Sequence, residues 1–382
     1  MRSQVNRNGQ DDPALSGEGS EPPCRLPRLA VTARCPLSTR LEAGDFPSSV
    51  VPVGEAGLPQ WAGECEVRIT GRYRMQSRIS AARSSLVGRI VRPHRALMAS
   101  DLNGYLADSV GTTPEPPVNL SVIEVAERTG AFADNDDALY YRHHFVADAD
   151  VHMPSDLLDL LKLRALFVRR TPIIMPCLSP ESRNVLSILS DNLERIAVNE
   201  YMCHEGGHAL GYSIQHKISQ NFFRIEGRLC WPLIYMEEFR ADLRSWAIAA
   251  ELLPAQEAAE VILYTFLHRM GLAAENFLER RPGAGFIPYL HFHNLVGAGL
   301  VAIEDLTLPQ ISMNHAATAV VDAARALVAV FEAELDSRDC DGHPQAADGL
   351  LDYAARRVGD LPTRRRFAGL FAGAARPAVD AI

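Results

Sequence analysis

Beyond residue 180 the apolar positions recur at helical intervals. Val185, Leu186, Ile188, Leu189, Leu193, Ile196 and Ala197 share one face, which predicts a helix over 182–216. Met236, Phe239, Leu243, Trp246, Ala247 and Ala250 form a second stripe and predict a helix over 235–252. Similar periodicity predicts helices at 255–280, 290–304 and 309–337, with one or two short ones in 350–375 after a polar loop at 339–349. Upstream the pattern is mixed. Leucines at 157, 158, 160, 161 and 163 predict a helix over 156–169. The proline-punctuated run 167–178 reads as a strand or an extended link. Alternating segments at 66–70 and 145–151 have the period of strands. Residues 1–60 are rich in Gly, Pro, Ser and charge and lack periodicity. They read as a disordered segment, or as an extension from an early start codon, with Met75 and Met98 as alternatives. Residues 61–95 stay undecided. The fold class expected is mainly α over 96–382, with a small β contribution before residue 180.

Composition narrows the picture only slightly. With 47% apolar residues and 382 positions the chain can fill a core of one or two domains. The net charge of −9 and the absence of a dense basic patch argue against a nucleic-acid partner. Lys162 and Lys217 are the only lysines. The seven cysteines are scattered, and their odd number and the absence of a C-x-x-C pair argue against a disulfide framework or a structural zinc site. Cys203 is expected to be a small buried hydrophobe. The most apolar stretch, 316–331, is interrupted by Asp322 and Arg325, so no membrane span is expected. No apolar signal-peptide core opens the chain, and a cytoplasmic location is the default expectation.

The chemistry concentrates in two segments. Residues 204–208 read His-Glu-Gly-Gly-His. Histidines at i and i+4 lie on one helix face, where both imidazoles reach one metal ion. Glu205 between them is placed to take a proton from a water on that metal. Paired glycines 206 and 207 cost about 1 kcal/mol each inside a helix, which a sequence tolerates where something must approach the backbone closely. Thirty residues later the chain reads Glu237-Glu238-Phe239-Arg240-Ala241-Asp242. Glu238 and Asp242 share a helix face. One can complete a three-ligand catalytic site, and the other can accept a ring N–H of a ligand histidine. The plain alternative is a solvated acidic face with an i,i+3 pair between Glu237 and Arg240.

These residues resemble the gluzincin metallopeptidases, in which H-E-x-x-H is followed by E-x-x-x-D. The segment Tyr235-Met-Glu-Glu-Phe-Arg-Ala-Asp242 is similar to the E-E-C-R-A-[DE] signature of the dipeptidyl peptidase III family. The resemblance covers about residues 200–295. It implies a zincin-like helical catalytic domain, with Glu238 as third zinc ligand and Asp242 and Glu237 supporting the ligand shell. Two departures stand out. That family has one extra residue between its histidines, and its chains are about twice as long, with a second lobe. A histidine some fifty residues downstream stabilises the oxyanion there, which makes His291 and His293 candidates for that role. Their plain alternative is one solvent-facing and one core histidine.

Other polar clusters carry less. His143, His144 and His152 flank a candidate strand, and neighbouring histidines point apart. Arg240 and Arg244 are either carboxylate binders or surface ion-pair partners. His268 reads as a core histidine. No phosphate loop, dinucleotide fingerprint or nucleophile elbow is present.

The expectation is a zinc hydrolase with one ion, held by His204, His208 and Glu238, acting on a peptide or a small amide-containing substrate. Two alternatives stand beside it. One is a zinc or iron(II) enzyme that modifies a small metabolite, since two histidines and a carboxylate also suit iron(II). The other is a non-enzymatic metal-binding protein, against which the intact Glu205 argues.

Overall fold

The computed structural model describes residues 65–75, 78–79, 84–91, 96–110, 117–134, 138–141, 145–146, 155–210, 221–278, 285–302, 306–309, 314–334 and 346–372. The expectation for residues 1–60, and those for His143, His144 and His152, fall outside them. The described chain is mainly helical with a small sheet. Seven strands make that sheet: β1 (Cys65–Met75), β2 (Arg78–Ile79), β3 (Ser84–Val91), β4 (Leu120–Arg128), β5 (Leu139–Tyr140), β6 (Phe145–Val146) and β7 (Asp156–Asp159). Their order is β2-β1-β3-β4-β7-β5, with β6 also paired to β1. Among the described strands only β4 and β7 run parallel. Leu120, Ser121, Val122 and Ile123 are all buried, the pattern of a strand covered on both faces rather than one.

The run of leucines after Ser155 divides in two. Leu157 and Leu158 pair with β4 as part of β7, and only then does α3 (Leu160–Ile174) begin. Asp159 caps it, accepting from the Lys162 amide at 3.2 Å and pairing with Arg128 at 2.7 Å. Consecutive leucines suit a buried strand as well as a helix, and pairing with β4 decides. The helix then continues through the segment expected to be extended. Pro172 and Val168, the pair whose helical hydrogen bond the proline removes, lie on the exposed side. A 3₁₀ turn at Met175–Cys177 ends the run.

The helical part contains α1 (Ala99–Val110), α2 (Ala131–Asp134), α4 (Arg183–Asp191), α5 (Leu193–Ala209), α6 (Trp231–Leu252), α7 (Ala255–Leu278), α8 (Phe286–Gly297), α9 (Asn314–Glu334), α10 (Ala346–Val358) and α11 (Leu361–Ala372). The single helix expected over 182–216 is broken at Asn192, whose side-chain amide donates to the Ile188 carbonyl at 3.1 Å. A two-stranded ribbon, β8 (Arg224–Ile225) and β9 (Arg228–Leu229), precedes α6. Both of its turn residues, Glu226 and Gly227, have positive φ, as a two-residue hairpin turn of the primed type requires.

Helices α5, α6 and α7 pack on one another at the centre, with α3, α8, α9 and α10 around them. Trp246, Phe239, Met236 and Leu243 of α6 are fully buried. The α5–α6 contact is the most extensive between helices, and glycine makes it close. A Cβ at Gly207 would stand 2.5 Å from the Ala241 carbonyl oxygen. At Gly206 it would meet the side-chain ends of Leu102 and Ile248, at 3.0 and 3.1 Å. The glycine pair therefore admits a packed helix backbone. Gly207→Ala is expected to lower the unfolding free energy by about 1–3 kcal/mol, since backbone must move. Gly206→Ala is expected to cost less, because the Leu102 and Ile248 side chains can rotate. Denaturant titration of the two variants checks the order.

Candidate metal centre

Helix α5 ends at the motif, with His208 in its last turn and His204 one turn earlier. Helix α6 sets Glu237, Glu238 and Asp242 against it. Glu238 turns its carboxylate toward both imidazoles. Oε2 is 3.3 Å from His204 Nε2, and Oε1 is 3.6 Å from His208 Nε2. Three donors about 2.1 Å from one tetrahedral zinc ion stand roughly 3.4 Å from each other. The spacing and the chemistry of this set fit such an ion.

The second nitrogen of each ring meets a second carboxylate. His208 Nδ1 is hydrogen-bonded to Glu237 Oε1 at 3.0 Å. His204 Nδ1 lies 2.8 Å from Asp242 Oδ1, off the axis of a straight hydrogen bond. This leaves Nε2 of both rings for the metal side, the usual arrangement of carboxylate-backed histidine ligands. The supporting carboxylates are themselves held. Arg240 donates from Nε and Nη2 to Glu237, at 3.0 and 2.7 Å, and from Nη1 to the Leu210 carbonyl. Arg269 grips Asp242 bidentately, with both bonds at 2.8 Å. Glu200, His204 and Asp242 form a second convergent group. It shares His204, and its Asp242 oxygens already serve Arg269, His204 and His291, so the set with Glu238 fits an ion better.

The charges shift one another strongly. Burial raises the Glu238 carboxyl, but the hydrogen bond from His204 and the nearby His208, His204 and Arg269 outweigh it and bring it down to about 2. Burial likewise works against ionised Asp242, and Arg269, His204 and His291 reverse it, holding that group well below the usual range. Burial depresses His204, yet Asp242 and Glu238 lift it well above an ordinary histidine. Glu205 shifts in the direction opposite to Glu238 and Asp242. Burial raises its carboxyl, and the two motif histidines offset only part of that.

Helices α3, α5, α6 and α7 and strands β5 and β7 enclose a cavity of about 150 Å³. His204, Glu205 and Glu238 line one part of it, and leucines from α3, β5, β7 and α7 line much of the rest. Glu200, one turn before His204, also borders it. Its carboxyl is raised to about 7 by burial, with His204 as the largest offset.

The structure brings His204, Glu205, His208, Glu237, Glu238 and Asp242 together, and it places the downstream histidines elsewhere. His291 is fully buried between Phe239 and Trp246, with ring centroids 4.8 and 5.0 Å away. Its Nε2 meets Asp242 Oδ2 at 2.8 Å, so it braces the carboxylate that faces His204. His293 faces Asp360 at 3.2 Å. Neither lines the cavity: His291 packs against the Phe239 and Trp246 face of α6 and His293 pairs with Asp360, so the structure does not bring them to Glu205 as the oxyanion role expected for them would need. Tyr289 is likewise committed, donating to the Arg357 carbonyl at 2.6 Å. Arg244 pairs with Glu332. His268 meets Arg170 Nη1 through its Nδ1 at 3.3 Å and borders the cavity. Cys203 is buried, as its sequence context suggests, and burial raises its thiol.

Arg269 and Glu200 were not singled out from the sequence. Arg269 had a signal, since His268 and Arg269 are the one polar break in the apolar run 266–272. Glu200 had a weaker one, being one helical turn before His204. No protein-family model matches the chain, and no curated protein or solved structure is significantly similar to it.

Asp242→Asn is expected to weaken zinc binding 10- to 100-fold, because the amide neither backs His204 nor balances Arg269 as a carboxylate does. His293→Ala should leave zinc affinity within about twofold, being outside the ligand shell. Competition against a chromogenic chelator measures both.

Proposed function

We propose that this chain is a zinc-dependent hydrolase of the gluzincin type, cleaving a peptide or other amide bond. The observation that carries this reading is the convergence of His204 Nε2, His208 Nε2 and the Glu238 carboxylate beside a cavity that Glu205 also lines. Zinc in that set supplies a Lewis acid for a carbonyl oxygen and makes a water molecule acidic enough to act near neutral pH. Glu205 accepts at its carboxylate the proton that the attacking water gives up. It then delivers that proton to the nitrogen of the leaving amine. A carboxyl raised by burial suits both directions of transfer better than an ordinary surface glutamate. Glu237 and Asp242 fix the two rings so that Nε2 faces the metal side. The ligand roles follow those implied by the resemblance to the dipeptidyl peptidase III signature. The dipeptide-releasing specificity of that family is not part of the proposal.

The size of the cavity favours a second reading, in which the same residues serve a metal enzyme that modifies a small metabolite. Two histidines and one carboxylate suit iron(II) as well as zinc. Iron points to the second reading, and with zinc the cleavage of an amide separates the two.

Tag-free protein is expected to carry close to one zinc per chain by plasma mass spectrometry, and Glu238→Ala to lose most of it. Iron in place of zinc would select the second reading. Absence of metal even after reconstitution would overturn both. Glu205→Gln is expected to keep its zinc and lose at least about 10²-fold in turnover of whichever amide the wild type cleaves. A fully active Glu205→Gln enzyme would remove Glu205 from the mechanism.

A further inference from the structure

Apolar side chains from separate elements line the cavity beside the ligand set. Leu139 comes from β5, Leu163, Leu166 and Ile174 from α3, and Leu267 from α7, while Leu186 of α4 closes another side. Several polar groups in the same wall are engaged within the protein. Thr171 donates to the Phe167 carbonyl at 2.8 Å. Arg170 meets His268 at 3.3 Å, and burial holds that imidazole well below its usual range, so its neutral ring accepts the bond. Arg269 is held by Asp242, and the Thr265 hydroxyl reaches Glu200 at 3.4 Å. Gly271 shapes the wall as well, since a Cβ there would come within 3.1 Å of the Arg170 and Ile174 side chains. Those bonds run within the protein, and the leucines and Ile174 supply the hydrocarbon surface next to the reacting groups.

A space of about 150 Å³ whose wall is apolar over most of its area, with its carboxylates and His204 at one part, is of the size that takes up a benzene molecule. The carboxylates of the wall, Glu200, Glu205 and Glu238, gather around His204, so a charged group carried into the part lined by leucines and Ile174 would lose its water without gaining a partner there. We propose that the cavity is the specificity pocket of the site. It takes an uncharged branched or aromatic hydrocarbon group, about five to seven carbons in size, attached next to the amide carbonyl of the substrate. This deepens the hydrolase reading and rests on it for the position of the amide. Binding of the hydrocarbon itself depends on the cavity alone.

The test uses the full zinc-loaded chain carrying Glu205→Gln, so that binding is measured without turnover. Calorimetric titrations compare acetamide, butanamide, 4-methylpentanamide, phenylacetamide and 6-aminohexanamide. Affinity is expected to rise about fourfold per buried methylene, reaching roughly 250-fold from acetamide to 4-methylpentanamide, which has four more carbons. Phenylacetamide should match the branched amide, and 6-aminohexanamide should fall back toward acetamide. Leu166→Trp, which fills the space, is expected to remove the gain for the longer amides. Leu163→Phe, a smaller change, serves if the tryptophan variant does not fold. A flat series, or tighter binding of the amine, overturns the specificity pocket whatever the enzyme cleaves. A rising series in a protein that cleaves no amide would keep the pocket and remove the hydrolase reading. Cleavage of amides regardless of their acyl group would do the reverse.

Discussion

Where α5 meets α6, the absence of a side chain at Gly207 lets the Ala241 backbone come close, and the rest of the site is hung on that approach. Glu238 and Asp242 flank Ala241 in sequence, so their distance from His204 and His208 is set by how near the two helix axes lie. Gly206, one residue earlier, turns toward Leu102 of α1 and Ile248 of α6 and extends the same tight seam. A helix pays about 1 kcal/mol for each interior glycine. Burial of Phe239, Leu243 and Trp246 on α6 and of Ile196, Val198 and Met202 on α5 offsets that cost many times over.

The second constraint is electrostatic. Carboxylates as buried as Glu237 and Asp242 do not stay ionised without partners. Arg240 and Arg269 supply them in bidentate form, and both guanidiniums reach in from the core. Each arginine fixes a carboxylate, and each carboxylate backs one histidine. His291 adds a further bond to Asp242 from α8, with its ring clamped between two aromatic side chains. The imidazoles are thus oriented by groups two layers deep. Protons and metal ions compete for the same ring nitrogens, so the negative charge that raises the affinity of His204 for a proton would also favour a cation in the proposed site.

The sheet has a different part in the architecture. Its β7 strand leads directly into α3, and Asp159, at the junction, is both the last strand residue and the helix cap. The parallel pairing of β7 with β4 fixes where α3 starts, and α3 lays Leu163, Leu166 and Ile174 along the cavity. The β5 strand at the end of the sheet order adds Leu139. Helices carry the polar chemistry, and the sheet with α3 supplies much of the hydrocarbon beside it.

Local periodicity determined a good deal by itself. The i,i+4 histidines put two imidazoles on one face because a helix repeats every 3.6 residues, and the same rule placed Glu238 and Asp242 together. The apolar runs of α6, α7 and α9 gave their helices nearly in full, since their length and period suit a helix whether one face or most of it is buried. Tertiary structure decided what periodicity leaves open. Whether Leu157 and Leu158 belong to a strand or a helix depended on β4, more than thirty residues away. The carriage of α3 through Pro172 depended on that residue facing outward. His291 and His293 have the right residue type at a plausible distance in sequence, but α8 packs behind α6, so one became a buried brace and the other a partner of Asp360. Arg269 joined the site because α7 lies alongside α5 and α6. Spacing within one helix is a property of the backbone, whereas contact between helices is set by the side chains that fill, or leave empty, the space between them.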